Sequence, residues 1–494
     1  MSEWVLPEGW GEAVVTDIAG FVRGVTFKKA EAIAYPEVGY VPIIRANNIQ
    51  NSKLILDDLV YAPEDKVSDS QRIKAGDVVV AMSSGSRKVV GKTASANKDW
   101  EGAFGAFCGV FRPSKHMSSS YFGYYFGTQE YRAKASSLAA GANINNLKAS
   151  HFDQILVPIP GLEEQKDIAD KLDDLLAQVN NLKARLDAIP AILKRFRQSV
   201  LAAAVSGRLT AEWRVGKDLD PVTVKPNEKL PVVGESDYYG ASIETWRWLR
   251  FGSVVRLVNG DRGRNYPNKS DYVEHGMPFI NTGHIEPDGT LSLARMNYIS
   301  QDKYESLGGG KTQPGDLVYC LRGATMGKTA RVDFEVGAIA SSLVIVRPGA
   351  CIVRKFAYYY LISPVAEKMI KKYDNGSAQP NLSAKSLASY SLQLPPIEEQ
   401  SEIVRRVDQL FALADQIEQQ VKNAQARVDK LTQSILAKAF RGELTAEWRA
   451  ANPELISGEN SAEALLKRIK AEKARQKPAG RGRGKKPAYA GQSA

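Results

Sequence analysis

Two tripeptides, Gly91-Lys92-Thr93 and Gly327-Lys328-Thr329, hold the residue types that cradle phosphate. A P-loop needs a further glycine five residues ahead of the Gly-Lys pair, and those positions are Ser86 and Arg322. The stretch after the second copy, Ala330 to Val336, reads as a strand where a helix N-terminus would be required. The pair therefore reads as a recurring turn and strand. A nuclease centre calls for clustered acids with a nearby lysine. Asp57-Asp58 followed by Glu64-Asp65-Lys66 has that composition, but the corresponding Ser300 to Lys303 lacks the leading acid. Three cysteines (Cys108, Cys320, Cys351) and four histidines (His116, His151, His275, His284) lie without Cys-x-x-Cys or His-x-x-x-His spacing, against a zinc site or disulfide framework. No histidine stands beside a nucleophile elbow, and no Gly-rich strand-to-helix turn seats a cofactor. These residues point to a chain with no catalytic, cofactor or metal site of its own.

What remains is polar chemistry suited to hydrogen bonding. The first half holds Arg45-Ala-Asn47-Asn48, Ser83 to Lys88 with Arg87, and Asn143 to Lys148 with Asn145. The second holds Gly260 to Lys269 with Arg262, Arg264 and Asn265, then Asn281 to His284, Leu321 to Lys328 with Arg322, and Ala378 to Lys385 with Gln379. Arginine pairs with guanine and asparagine or glutamine with adenine through paired hydrogen bonds, while lysine and serine hold phosphates. Lys28 and Lys29 join the DNA-binding candidates. The alternative for each cluster is an ordinary loop whose polar side chains fix backbone turns.

These candidates must be positioned by larger elements. A chain of 494 residues exceeds one ordinary core, and 44% hydrophobic with 24% charged residues describes a globular protein of two or three domains. No run approaches the roughly 18 apolar residues of a membrane span, and the opening Met1 to Val15 lacks the pattern of a signal peptide, so the expected location is the cytoplasm with no membrane partner. The net charge of +11 is uneven: residues 459–494 carry ten Lys or Arg against three Glu, leaving only +4 elsewhere. That end reads as a short amphipathic helix running into a disordered basic tail.

The chain also repeats itself. Leu-Thr-Ala-Glu-Trp-Arg occurs at Leu209–Arg214 and Leu444–Arg449, an offset of 235, and Glu163-Glu164-Gln165 returns at Glu398-Glu399-Gln400 with the same offset. Between these markers runs a hydrophobic 4,3 rhythm. The first copy uses Ile168, Leu172, Leu175, Val179, Leu182, Leu186, Ile189, Leu193, Phe196 and Val200. The second uses Ile403, Val407, Leu410, Ala414, Ile417, Val421, Ala424, Val428, Leu431 and Ile435. A period of 3.5 sustained this long predicts a coiled-coil seam on two rods of about 60 Å. Pro190 is expected to kink or break the first rod. Upstream the likeness is fainter: Val41–Ile49 answers Met277–Ile285, and Val90–Ala94 answers Met326–Ala330.

Each half is thus a globular region followed by a long helix. Short β-like runs such as Asp77 to Met82 mix with helical ones such as Ser119 to Leu138, giving an α+β class. The expected segments are a first globular domain over 1–157, a helix over 158–206, a Pro-rich linker over 207–244, a second domain over 245–392, a helix over 393–441 and a C-terminal segment over 442–494.

Two variable globular regions, each followed by a helix opening with Glu-Glu-Gln and closing with Leu-Thr-Ala-Glu-Trp-Arg, resemble the specificity subunit of Type I restriction-modification enzymes. The first rod, with its internal proline, is most similar to the Type IA branch. The resemblance covers about residues 1–450. It implies two target recognition domains, held apart by an antiparallel helix pair, each reading half of a split asymmetric site on double-stranded DNA. It also implies two modification subunits with S-adenosylmethionine and two motor-nuclease subunits using ATP and magnesium, so those cofactors belong to the partners. The competing readings are a fused methyltransferase or nuclease, and a coiled-coil scaffold without a DNA role. For Glu212, Trp213, Arg214, Glu447, Trp448 and Arg449 two readings stand: the tryptophans as buried packing anchors, or these residues as twin docking surfaces for the modification subunits.

Overall fold

The 4,3 rhythm builds the two longest elements. In a computed structural model, which describes residues 6–87, 89–139, 145–374 and 381–476, helices run over Leu162–Val205 and Ile397–Phe440, 44 residues each. Pro190, expected to kink or break the first, does not break it: it lies exposed inside one continuous helix, where a missing hydrogen bond is cheap.

The chain divides into two units, Met1–Leu186 with Asn423–Ala494, and Asp187–Lys422. Each contains part of both helices, and within each the two pair antiparallel. In the first unit Lys183 meets Asp429 at 2.8 Å, while in the second Arg197 meets Asp415 at 2.6 Å and Glu418 at 3.1 Å. Most predicted seam residues are buried or half-buried, with Ile168, Leu172, Ile403, Val407 and Ala414 wholly enclosed. Leu182 and Leu431 depart from the seam and stand 45% and 47% exposed.

The globular parts repeat one design. In the first unit a four-stranded antiparallel sheet runs in the order Thr93–Ser95, Val78–Ala81, Cys108–Pro113, Ala19–Arg23. Its counterpart runs Thr329–Arg331, Leu317–Cys320, Leu343–Pro348, Val255–Asn259. A second, mixed sheet in each unit carries one parallel pair, Tyr40–Ile44 with Trp100–Phe104 and Met277–Ile280 with Gly337–Ile339. The inner strands are apolar runs, such as Val78–Ala81, because both faces are covered.

Packing welds each domain to the helix ends. Tyr121, Phe126 and Phe152 share a core with Ile168 and Leu172 from the start of the first helix and with Leu436 and Phe440 from the end of the second. The Phe440 ring lies 4.9 Å from Tyr121 and 5.5 Å from Tyr125. In the second unit Phe356 and Tyr360 pack with Val200 and Val205 and with Ile403 and Val407. Each such side chain contributes about 1.5–3 kcal/mol of burial, so the domain is fixed rather than tethered.

The connecting segments are packed too. Arg250 donates to the carbonyls of Pro231 and Val232 and pairs with Asp237, so the segment read as a linker is held on the second domain. In the first unit the expected amphipathic helix runs over Ala462–Gln476 and buries Ala462, Leu465 and Ile469 in the domain core.

Candidate nucleic-acid interface

The recurring sequence markers meet in three dimensions as a buried joint. Glu164, wholly enclosed in the first turns of the first helix, accepts from Trp10 Nε1 at 2.9 Å and Thr445 Oγ1 at 2.7 Å and pairs with Arg449. Glu399 repeats this in the second unit with Trp246 Nε1 at 2.7 Å, Thr210 Oγ1 at 2.6 Å and Arg214. The arginines also donate to the carbonyls of Gly207 and Gly442, whose positive φ ends each helix. A Cβ at Gly207 would lie 2.2 Å from Ile243. Gln165 and Gln400 complete the joint: their Oε1 accepts from Ser118 N and Val353 N, and their Nε2 donates to Pro160 O and Pro395 O.

Both readings of the hexapeptide change as a result. Arg214 and Arg449 turn inward to the glutamates. Trp213 and Trp448 are not buried anchors: both are half-exposed, and Lys217 lies 4.3 Å over the Trp213 ring. The anchoring tryptophans are Trp10 and Trp246, which stand outside the repeated hexapeptide and escape sequence reading. Their signal is an offset of 236, one residue from that of the markers. Glu212 and Glu447 are exposed beside the joint.

The polar clusters converge at a second place in each domain. Ser83-Ser84 pairs as a strand with Asn145-Asn146, and Leu147 N donates to Met82 O. In the second domain Arg322 bridges Asn381, and Leu382 N donates to Leu321 O. Segments some sixty residues apart are thus joined into a short ribbon twice, with Arg87 and Lys148 exposed around the first and Arg322, Lys328 and Lys385 exposed around the second. The Gly-Lys-Thr tripeptides are tight turns beside these ribbons. Gly91 and Gly327 take positive φ and donate to Ala81 O and Cys320 O.

In the first domain Asn47 joins the ribbon. A cleft of about 490 Å³ is lined by Asn47, Gln50, Asn51, Ser84 and Lys92. A larger one of about 780 Å³ opens beside Asn51, Ser52, Asn97, Lys98 and Trp100. Asn51 and Ser52 form the tip of a hairpin with φ of 50° and 58°, the left-handed geometry of a two-residue turn. Gln50, Asn51, Ser52, Asn97 and Lys98 escape sequence reading because no motif marks them.

Several candidates are turn-holding groups. Asn48 is buried: its Oδ1 accepts from Arg45 N and its Nδ2 donates to Ile55 O and Asp57 O, leaving no donor for a base. His284 is likewise buried, and its Nδ1 accepts from Asn281 N at 3.1 Å. Burial, with the nearby Arg295 charge, pushes its pKa below the ordinary 6.5. Asn145 is buried in the ribbon, its Oδ1 without a hydrogen-bond partner among the described residues. Arg45 is half-buried and bonds Asp58, Asn265 donates to Ser306 O, and Asn281 Oδ1 accepts from Gly283 N. Lys28, Lys29, Asn47, Arg262 and Arg264 are exposed, and Ser83 is half-exposed on the ribbon. Lys88, Asn143 and Gln379 lie outside the described residues. The acids of nuclease-like composition form surface ion pairs, Glu64 with Arg72 and Asp58 with Arg45.

This doubled architecture matches the family described as the Type I restriction modification DNA specificity domain over residues 7–191 and again over 243–425. The chain therefore belongs to the family of Type I restriction-modification specificity subunits. It is similar to the Type I restriction enzyme EcoKI specificity subunit of Escherichia coli K12, 44% identical over 96% of this chain and 97% of the relative. The StySPI specificity subunit of Salmonella potsdam is equally similar, 44% identical over 96% and 97%. Among solved structures, the HsdS subunit from Thermoanaerobacter tengcongensis aligns with a TM-score of 0.51 at 20% identity, covering 89% of this chain and 99% of that one. A chain from a structural study of complex assembly and conformational transition of the type I R-M system aligns with a TM-score of 0.59 at 20% identity, covering 88% and 99%. These last two likenesses concern the fold.

Proposed function

We propose that this subunit gives a Type I restriction-modification complex its DNA sequence specificity, each domain reading one half of a bipartite, asymmetric site, with methyl transfer and cleavage left to partner subunits. The observation that carries this is the duplication of both the buried joint and the polar ribbon. A reader needs rigid presentation of hydrogen-bonding groups, and each domain is welded to two helix ends. Asn47, Ser84 and Lys92 around the first cleft combine groups for base edges and for phosphate. In the second domain Arg322, Lys328 and Lys385 take that role.

The helix pair fixes the gap between half-sites and docks the partners. Two copies of a modification subunit, carrying S-adenosylmethionine, sit on equivalent surfaces, and two motor-nuclease subunits bring ATP and magnesium; the assembly works in the cytoplasm. Support for helix docking comes from Leu182 and Leu431, which stand exposed although the heptad places them in the seam. Exposed Ile192 and Leu413 offer apolar surface in the second unit. Trp213 and Trp448, half-exposed beside Glu212 and Glu447, extend these surfaces.

The test is a map of methylated adenines in cells carrying the complete system. A two-part motif with a fixed gap is expected, and inserting one heptad in both helices should lengthen the gap while the bases read stay the same. A continuous motif, or an unchanged gap after insertion, would overturn the reading.

A further inference from the structure

The C-terminal helix, Ala462–Gln476, has two unlike sides. Its inner side is fastened. Ala462, Leu465 and Ile469 are buried, Glu472 accepts from Ser114 at 3.0 Å and pairs with Lys115 at 3.2 Å, and Lys473 donates to the carbonyls of Thr16 and Ala19. Its outer side is cationic, with Lys467, Arg468, Lys470 and Arg475 all exposed. The sequence then adds Lys477, Arg481, Arg483, Lys485 and Lys486, interspersed with glycines, with no Asp or Glu as far as Ala494.

We propose that this segment is a second, sequence-independent nucleic-acid contact that grips the sugar-phosphate backbone of duplex DNA outside the recognised bases. The inference rests on the DNA-reading role above and adds a surface to it. Cations at a helix C-terminus do offset its dipole, but that needs one or two charges in the last turn. Here the charges begin at Lys467, in the middle of the helix, and continue past its end. A protein partner is the weaker occupant, because such interfaces need a desolvated apolar or aromatic centre. The exposed positions of this helix are charged residues or alanine. Anchoring by three buried apolar side chains presents the helix cations Lys467, Arg468, Lys470 and Arg475 at fixed positions, which lowers the entropy cost when they meet phosphates.

The experiment uses the full chain assembled with its modification subunit, and two duplexes of equal length, one with the methylated sequence and one scrambled. Variants are a chain ending at Gln476 and the double substitution Lys467→Ala/Lys470→Ala, both at exposed or terminal positions. Truncation is expected to weaken both duplexes by the same factor, roughly tenfold near 0.1 M salt, and to make the fall of log affinity with log salt shallower by about 0.9 for each phosphate no longer neutralised. The double substitution should do the same in smaller measure, with the methylated bases unchanged. Unchanged slopes, or weakening confined to the methylated sequence, would overturn the proposal. So would intact DNA binding with loss of the modification subunit from the complex, which would assign the segment to an acidic protein surface. If the parent complex fails to distinguish the duplexes, the specificity reading fails instead, and the slopes on either duplex still judge the segment.

Discussion

Arg214, the last residue of the first repeated hexapeptide, is paired with the wholly buried Glu399 in the first turn of the other long helix. Arg449 and Glu164 form the same pair in the other unit. The end of each helix is thereby fixed to the beginning of the other by a charge pair that is expensive to break.

Removing the glutamate leaves a largely buried arginine charge uncompensated, so Glu399→Ala and Glu164→Ala should each cost up to about 3–5 kcal/mol. Adding Arg214→Met to Glu399→Ala should recover part of the loss, because no buried charge then remains. Denaturant unfolding of the parent chain and these variants checks this. A loss under about 1 kcal/mol in the single variants would show that the pair does not hold the joint.

The tryptophans separate by role. Trp246→Phe keeps an aromatic ring but removes the donor to Glu399, and an expected cost of about 1–3 kcal/mol follows. Trp213→Ala and Trp448→Ala, at half-exposed positions, should change stability by no more than about 1 kcal/mol. They should weaken capture of the modification subunit in a pull-down. Unfolded protein in either variant would make the tryptophan a packing anchor after all.

Neighbouring asparagines should behave oppositely. Asn48→Ala strands the Arg45 amide and two carbonyls and should destabilise by roughly 1–3 kcal/mol. Asn47→Ala, at an exposed cleft position, should leave stability unchanged and relax the bases read in one half-site only. Methylation-site mapping gives the answer, and a change in the other half-site would remove Asn47 from the reading role.

His284 should make the second unit acid-sensitive. Its pKa is lowered in the fold by burial, and next by the Arg295 charge, so the unfolded chain takes up this proton first. Stability should therefore fall as pH drops below about 6.5 and level off once pH passes below the folded value. His284→Asn should flatten the denaturation midpoint between pH 7 and 5. An undiminished slope in that variant would place the titration elsewhere.

The repeat, the two rods, the α+β halves and the family were legible in the sequence, because heptad spacing and a gapless offset of 235 are one-dimensional properties. Helix periodicity survives in the letters because each seam residue faces the same way by local geometry alone. Its failures were also local. Pro190 lies exposed, where a missing hydrogen bond is cheap, and Leu182 and Leu431 face outward in spite of their heptad positions.

What the sequence by itself determined is the number of parts, their order and their kinship. Only the tertiary structure decided which polar residues are spent on holding turns and which remain outside. Asn47 and Asn48 are adjacent in the chain and of one type, yet one is exposed and the other buried with its hydrogen bonds consumed. The repeated tryptophans draw attention in the letters, while Trp10 and Trp246 hold the joint. The reason is physical: a side chain's role depends on which distant groups surround it, and burial of a polar atom requires partners that only the folded chain brings within reach.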